Sequence, residues 1–127
     1  PNEKEARIAL QDNDIGLELL SQNLMLHTSS ERLLMKLGSN GFIAYDRKKN
    51  NQLTSQQFPA LSANPVDVTG AGDSVLAVMS TGLSSKESMI STAAIACCMS
   101  YLSVESMGNT PISADILKKA LKEIFKN

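Results

Sequence analysis

The segment Asp67-Val68-Thr69-Gly70-Ala71-Gly72-Asp73-Ser74 has the residue types and spacing that point most directly to chemistry. Gly70 and Gly72, one residue apart, remove side chains where backbone N–H groups must approach a ligand closely. A helix beginning near Gly72 adds unpaired N–H donors and the positive end of its dipole, so the turn is a candidate anion hole. A carboxylate beside such a hole competes with the anion unless it has a task of its own. With a phosphoryl group over the turn, Asp73 is placed to accept a proton from an attacking hydroxyl while the amides of the turn stabilise charge on the group in transfer. The plainer reading has Asp73 capping the helix and the glycines turning the chain. Local pattern alone leaves both open.

Other phosphate signatures fail. A Walker A loop needs Lys-Ser/Thr after its last glycine, where this chain has Asp73-Ser74. A Rossmann fingerprint needs glycine at position 75, which is Val, and an acidic ribose partner about 20 residues on, where the chain reads Ala-Ala-Ile-Ala. Asn2 and Glu5, three apart, present an amide and a carboxylate on one side of a first helical turn. They suit a metal-bound water or a phosphate, and equally a helix start with acidic residues near its positive end. Gly38 and the Met107-Gly108-Asn109-Thr110-Pro111 loop are turn features that either line a nucleotide pocket or only turn. His27, without a Cys or carboxylate cluster nearby, reads as a structural or exposed histidine, and Arg47–Asn51 as a solvated hairpin tip.

Elements must position these residues. The pattern predicts a short helix over 3–10, an amphipathic helix over 14–26, strands over 33–37, 42–46 and 53–58, and a breaker-rich linker over 59–65. A short extended run, 66–68, leads into the glycine turn. A helix then runs from Gly72 until Gly82 closes it, and an apolar one over 86–103 reads as sandwiched in a core. Ser113 is a plausible N-cap for a surface helix bearing Ile116, Leu117, Leu121, Ile124 and Phe125. Strands followed by helices give an α/β layout with a sheet covered by helices, read as one domain over 1–127.

Composition narrows the function classes. The 127 residues are 43% hydrophobic and 20% charged with a net charge of −1, which fits a soluble folded domain. Twelve basic against thirteen acidic residues and five aromatics leave no basic field or stacking platform for nucleic acid. No segment reaches the roughly 18 apolar residues of a membrane helix. Cys97 and Cys98 are adjacent, a geometry that disfavours a mutual disulfide, so a reducing, cytoplasmic setting is expected. The chain opens without Met in what already reads as an element, and the expectation is a piece of a longer protein.

Together these features resemble the C-terminal half of the ribokinase-like, or PfkB, family of carbohydrate kinases. The match runs in order through Pro-Asn-x-x-Glu at 1–5, Lys-Leu-Gly at 36–38, Asp67 to Asp73, the alanine-rich stretch at 93–96 and Gly-Asn-Thr-Pro at 108–111. The Thr-Gly-Ala-Gly-Asp block is the specific part. The resemblance implies a ribokinase-like three-layer α/β fold, ATP-dependent phosphorylation of a sugar or sugar phosphate, Asp73 as the base, and Gly70, Ala71 and Gly72 as the anion hole. It further implies that Asn2 and Glu5 organise Mg²⁺ and phosphate through water, that Gly38 approaches the nucleotide phosphates, and that Gly108 borders the adenine pocket. Asp67 falls where relatives hold a monovalent cation such as K⁺. Val68 and Val75 depart from the common Thr and Phe at those positions. Within the family, the Val66–Val75 block and the Gly-Asn-Thr-Pro loop look most like heptose-phosphate kinase domains of ADP-heptose synthases.

That resemblance places the sugar-binding half ahead of Pro1, so the chain alone is expected to be inactive. A sheet edge bared by the missing half would open a route to homo-oligomers. The alternative reading is a non-catalytic nucleotide-binding or scaffold domain using the same glycine turn.

Overall fold

A computed structural model describes residues 1–61, 70–105 and 111–124. They belong to two compact units, Pro1–Pro59 and Ala60–Asn127.

The first unit begins with helix α1 (Glu3–Leu10). Asn2 starts it with a capping box: its Oδ1 accepts from the Glu5 amide at 2.8 Å, and its own amide donates to Glu5 Oε2 at 2.7 Å. Gln11 ends it in the left-handed region. Helix α2 (Leu17–His27) starts three residues later than the apolar spacing suggests. The Asp12 carboxylate accepts from the amides of Asp14 and Ile15 at 3.0 and 3.2 Å, and Arg7 donates to the Ile15 carbonyl at 3.0 Å. These groups hold residues 12–15 in a turn that competes with helix.

Strands β1 (Arg32–Lys36), β2 (Phe42–Arg47) and β3 (Leu53–Phe58) form an antiparallel sheet in the order β1-β2-β3. Leu33 pairs with Tyr45, Met35 with Ile43, and Phe42 with Phe58. The period of two sends Leu33, Met35 and Tyr45 to one face, where they form a buried core with Ala6, Leu20, Leu24 and Met25 from the helices. Gly38–Asn40 form one 3₁₀ turn between β1 and β2. The Arg47–Asn51 tip is a turn closed by Lys48 and Gln52, as its composition predicts.

The second unit carries α3 (Ala71–Ser84), α4 (Met89–Glu105) and α5 (Ala114–Ile124), and α3 packs along α4. Gly82 does not close α3. It lies within the helix, its backbone against Thr92 of α4, and α3 continues to Ser84. Lys86 then takes a left-handed φ of 65°, and Ser88 Oγ accepts from the Ser91 amide at 3.0 Å, so α4 starts at Met89 rather than 86. Met89, Thr92, Ala93, Ala96, Cys97 and Cys98 are buried, which agrees with a core helix. Ser113 caps α5, its Oγ accepting from the Ile116 amide at 3.3 Å. The extended run at 66–68, the loop at 107–110 and Phe125 lie outside the described residues. Among the described residues, no helix is long and apolar enough to cross a membrane.

Candidate functional site

In the second unit the glycine turn is the N-terminus of α3. Gly70 is its N-cap with φ 75° and ψ −6°, and among the described residues no side chain caps the helix there. A left-handed N-cap suits glycine, because any Cβ is strained in that region. The Gly70 carbonyl accepts the Ser74 amide at 2.9 Å, the first bond of the helix. The amides of Ala71, Gly72 and Asp73 precede that bond and have no carbonyl four residues back within the helix. Gly70, Ala71 and Gly72 are half-buried, and Asp73, in the first turn, is exposed. Gly70, Ala71, Gly72 and Asp73 thus share one helix end, where the amides of Ala71, Gly72 and Asp73 are suited to an anion and the Asp73 carboxylate is exposed beside them.

In the first unit, Asn2, Glu5 and Gly38 converge on the end of β1. The Lys36 amide donates to the Pro1 carbonyl at 2.9 Å, and Asn2 makes a parallel bridge with Lys36. Two residues on, Gly38 turns the chain with φ +58°, and a Cβ there would meet nothing within 4 Å. Glycine therefore serves its backbone angle and leaves open space above the turn. The parallel bridge beside Lys36 joins residues far apart in the chain, and no local signal announces it.

Glu5 spends Oε2 on the cap, while Oε1 accepts no hydrogen bond from the described residues. A single carboxylate oxygen oriented by a fixed helix start suits an outer contact to a hydrated hard cation such as Mg²⁺, which keeps most of its waters. Among the described residues, no group of three or more His, Cys, Asp or Glu side chains is clustered as a metal site.

His27, in the last turn of α2, is exposed. Asp67 and Gly108 lie outside the described residues. Sequence reasoning passed over Asp46. It is buried on β2, with Arg32 Nε at 3.3 Å from one carboxylate oxygen and Lys48 Nζ at 2.5 Å from the other. Its partners lie on β1 and in the turn after β2, so it acts in a structural ion-pair cluster. Burial pushes the Cys97 thiol up to about 11 and raises Cys98, so neither is an activated nucleophile.

With this geometry in place, comparison with known proteins identifies the class. The model of the pfkB family of carbohydrate kinases matches residues 1–116, and the chain belongs to that family. It is 32% identical over 130 residues to a ribokinase of Lactococcus lactis, covering 100% of this chain and 39% of that protein. It is 33% identical over 120 residues to the bifunctional protein HldE of Campylobacter fetus, covering 89% of this chain and 24% of that one. The structure of Arabidopsis thaliana ribokinase complexed with ribose and ATP is similar at TM-score 0.77 and 26% identity, over 96% of this chain and 39% of that one. The α/β fold is therefore ribokinase-like, and the chain spans less than half the length of these relatives.

Proposed function

We propose that the protein containing this chain is an ATP-dependent kinase of a sugar or sugar-phosphate hydroxyl, with the chain supplying the ATP side, the anion hole and the base. The observation that carries this reading is the start of α3: a left-handed glycine, a helix end that no side chain of the described residues caps, and an exposed carboxylate in the first turn. Family membership supports it.

Asp73 accepts the proton of the acceptor hydroxyl as its oxygen attacks the γ-phosphorus of ATP. The bond from that phosphorus to the β–γ bridging oxygen breaks, and ADP leaves with the electron pair. Charge on the three equatorial oxygens is met by the amides of Gly70, Ala71 and Gly72, which are fixed before the reaction and need no reorientation. Gly38, and Gly108 in the loop beyond the described residues, approach the nucleotide. Mg²⁺ would supply charge neutralisation on the phosphates. Asn2 and Glu5 would hold its water shell, Glu5 through the oxygen left free by the cap. Asp67 is assigned to a monovalent cation such as K⁺. For the acceptor we favour a heptose phosphate, on the likeness of the 66–75 block and the 108–111 loop to heptose-phosphate kinase domains.

The test is Asp73→Asn in the complete protein. Loss of the base should lower kcat by about 10²- to 10⁴-fold, with the KM for ATP little changed. Turnover near that of the parent enzyme removes Asp73 from the chemistry. A panel of heptose, hexose and pentose acceptors, with and without phosphate, ranks the substrates by kcat/KM.

A further inference from the structure

Inside α3, the backbone of Gly82 lies directly against the side chain of Thr92 on α4. A Cβ at position 82 would stand 2.5 Å from Thr92 Cγ2, 2.8 Å from Oγ1 and 3.2 Å from Cβ. Non-bonded carbons rest about 3.5–4.0 Å apart, so a single methyl here demands a retreat of about 1 Å. Thr92 cannot supply that retreat alone. It is fully buried and β-branched, and its Oγ1 donates to the Ser88 carbonyl at 2.8 Å. Rotating it away would leave the hydroxyl buried without a partner. Ala93 and Ala96, buried on the same helix, are too short to yield by changing rotamer. Any bulk at position 82 must therefore move one helix against the other.

α3 carries the phosphoryl-transfer groups at its other end. Asp73 lies nine residues before Gly82 on the same continuous helix, roughly 13–14 Å along its axis. We propose that the Gly82–Thr92 contact is a positioning device for the reaction: it sets the spacing of α3 and α4 and thereby the pose of Gly70, Ala71, Gly72 and Asp73. Neither residue touches substrate. This proposal rests on the reading of the α3 N-terminus given above.

The complete kinase tests it with a graded series at the contact. Gly82→Ala should lower kcat per folded molecule by about 10- to 100-fold, the scale of a 1 Å misplacement, with KM for ATP and sugar within twofold. Turnover is read well below the melting transition and normalised to folded protein, so a contact that only stabilises would leave it unmoved. Thr92→Ala in the Gly82→Ala background removes both Cγ2 and Oγ1 and should restore kcat to within threefold of the parent. Thr92→Ser in that background removes Cγ2 but keeps Oγ1, and should fall between. Should Gly82→Ala alone not fold, the two double variants decide, because the proposal requires the serine form to be slower per folded molecule than the alanine form. Equal turnover in those two, or parental turnover in Gly82→Ala while Asp73→Asn is inactive, overturns the positioning role and leaves the kinase reading standing. An active Asp73→Asn enzyme removes the reading itself, and the proposal with it.

Discussion

Glu5 divides one carboxylate between two tasks. Its Oε2 accepts the Asn2 amide and starts α1, and its remaining oxygen is the one assigned to hydrated Mg²⁺. The two tasks separate by substitution, because a capping box accepts glutamine as readily as glutamate. Glu5→Gln should keep the thermal midpoint of the parent while raising the Mg²⁺ concentration for half-maximal turnover in the complete kinase. An unchanged Mg²⁺ dependence would leave Glu5 with the cap alone. The Asn2–Glu5 spacing is legible in sequence because a cap is local. The neighbouring contact is not legible: the Pro1–Lys36 hydrogen bond depends on two segments meeting side by side, and nothing in either announces the other. Asp46 is hidden for the same reason, since Arg32 reaches it only through the β1–β2 register.

At the scale of elements, all three expected strands and the described helices exist, and their errors lie at boundaries. Gly82 reads as a helix stop because a glycine after an apolar run carries the same local signal as a C-terminal cap. Its reason for being glycine is Thr92, which sequence spacing does not reveal. Asp14 reads as a helix start, but Asp12 holds Asp14 and Ile15 in a side-chain turn, and Arg7 donates to the Ile15 carbonyl that a helix from Asp14 would spend on its own next turn. α4 illustrates the opposite case, where apolarity on most sides predicts burial and the structure agrees.

That burial has a pH signature. The unfolded chain loses its thiol protons near 9, while folded Cys97 keeps its proton to about 11 and Cys98 is also shifted upward. Between those values the unfolded state binds fewer protons than the folded one, so stability falls as pH rises. The slope contributed by Cys97 approaches ~1.4 kcal/mol per pH unit at most. Urea midpoints from pH 8 to 11 should fall faster for the parent than for Cys97→Ala, and parallel curves would remove the thiol as the cause.

For the whole molecule, the relatives set the frame: the chain covers 39% of the ribokinase to which it is similar. β1 pairs with β2 on one side, and among the described residues its other edge meets only the Pro1–Asn2 backbone beside Lys36. Because Lys36 sends its amide outward, the alternation of a strand sends those of Leu34 and Arg32 the same way, and they find no acceptor among the described residues. In colloidal terms that edge is a sticky seam, and Leu33, Leu34 and Met35 lie along it. Light scattering on the 127-residue chain should show a mean mass that climbs with concentration. Leu34→Pro, which removes an outward N–H and no β1–β2 hydrogen bond, should flatten that climb, whereas a constant monomer mass in the parent would mean the seam is already closed. Handling of the isolated chain then becomes a matter of dilution and shelf life, governed by one strand rather than by the stability of the fold.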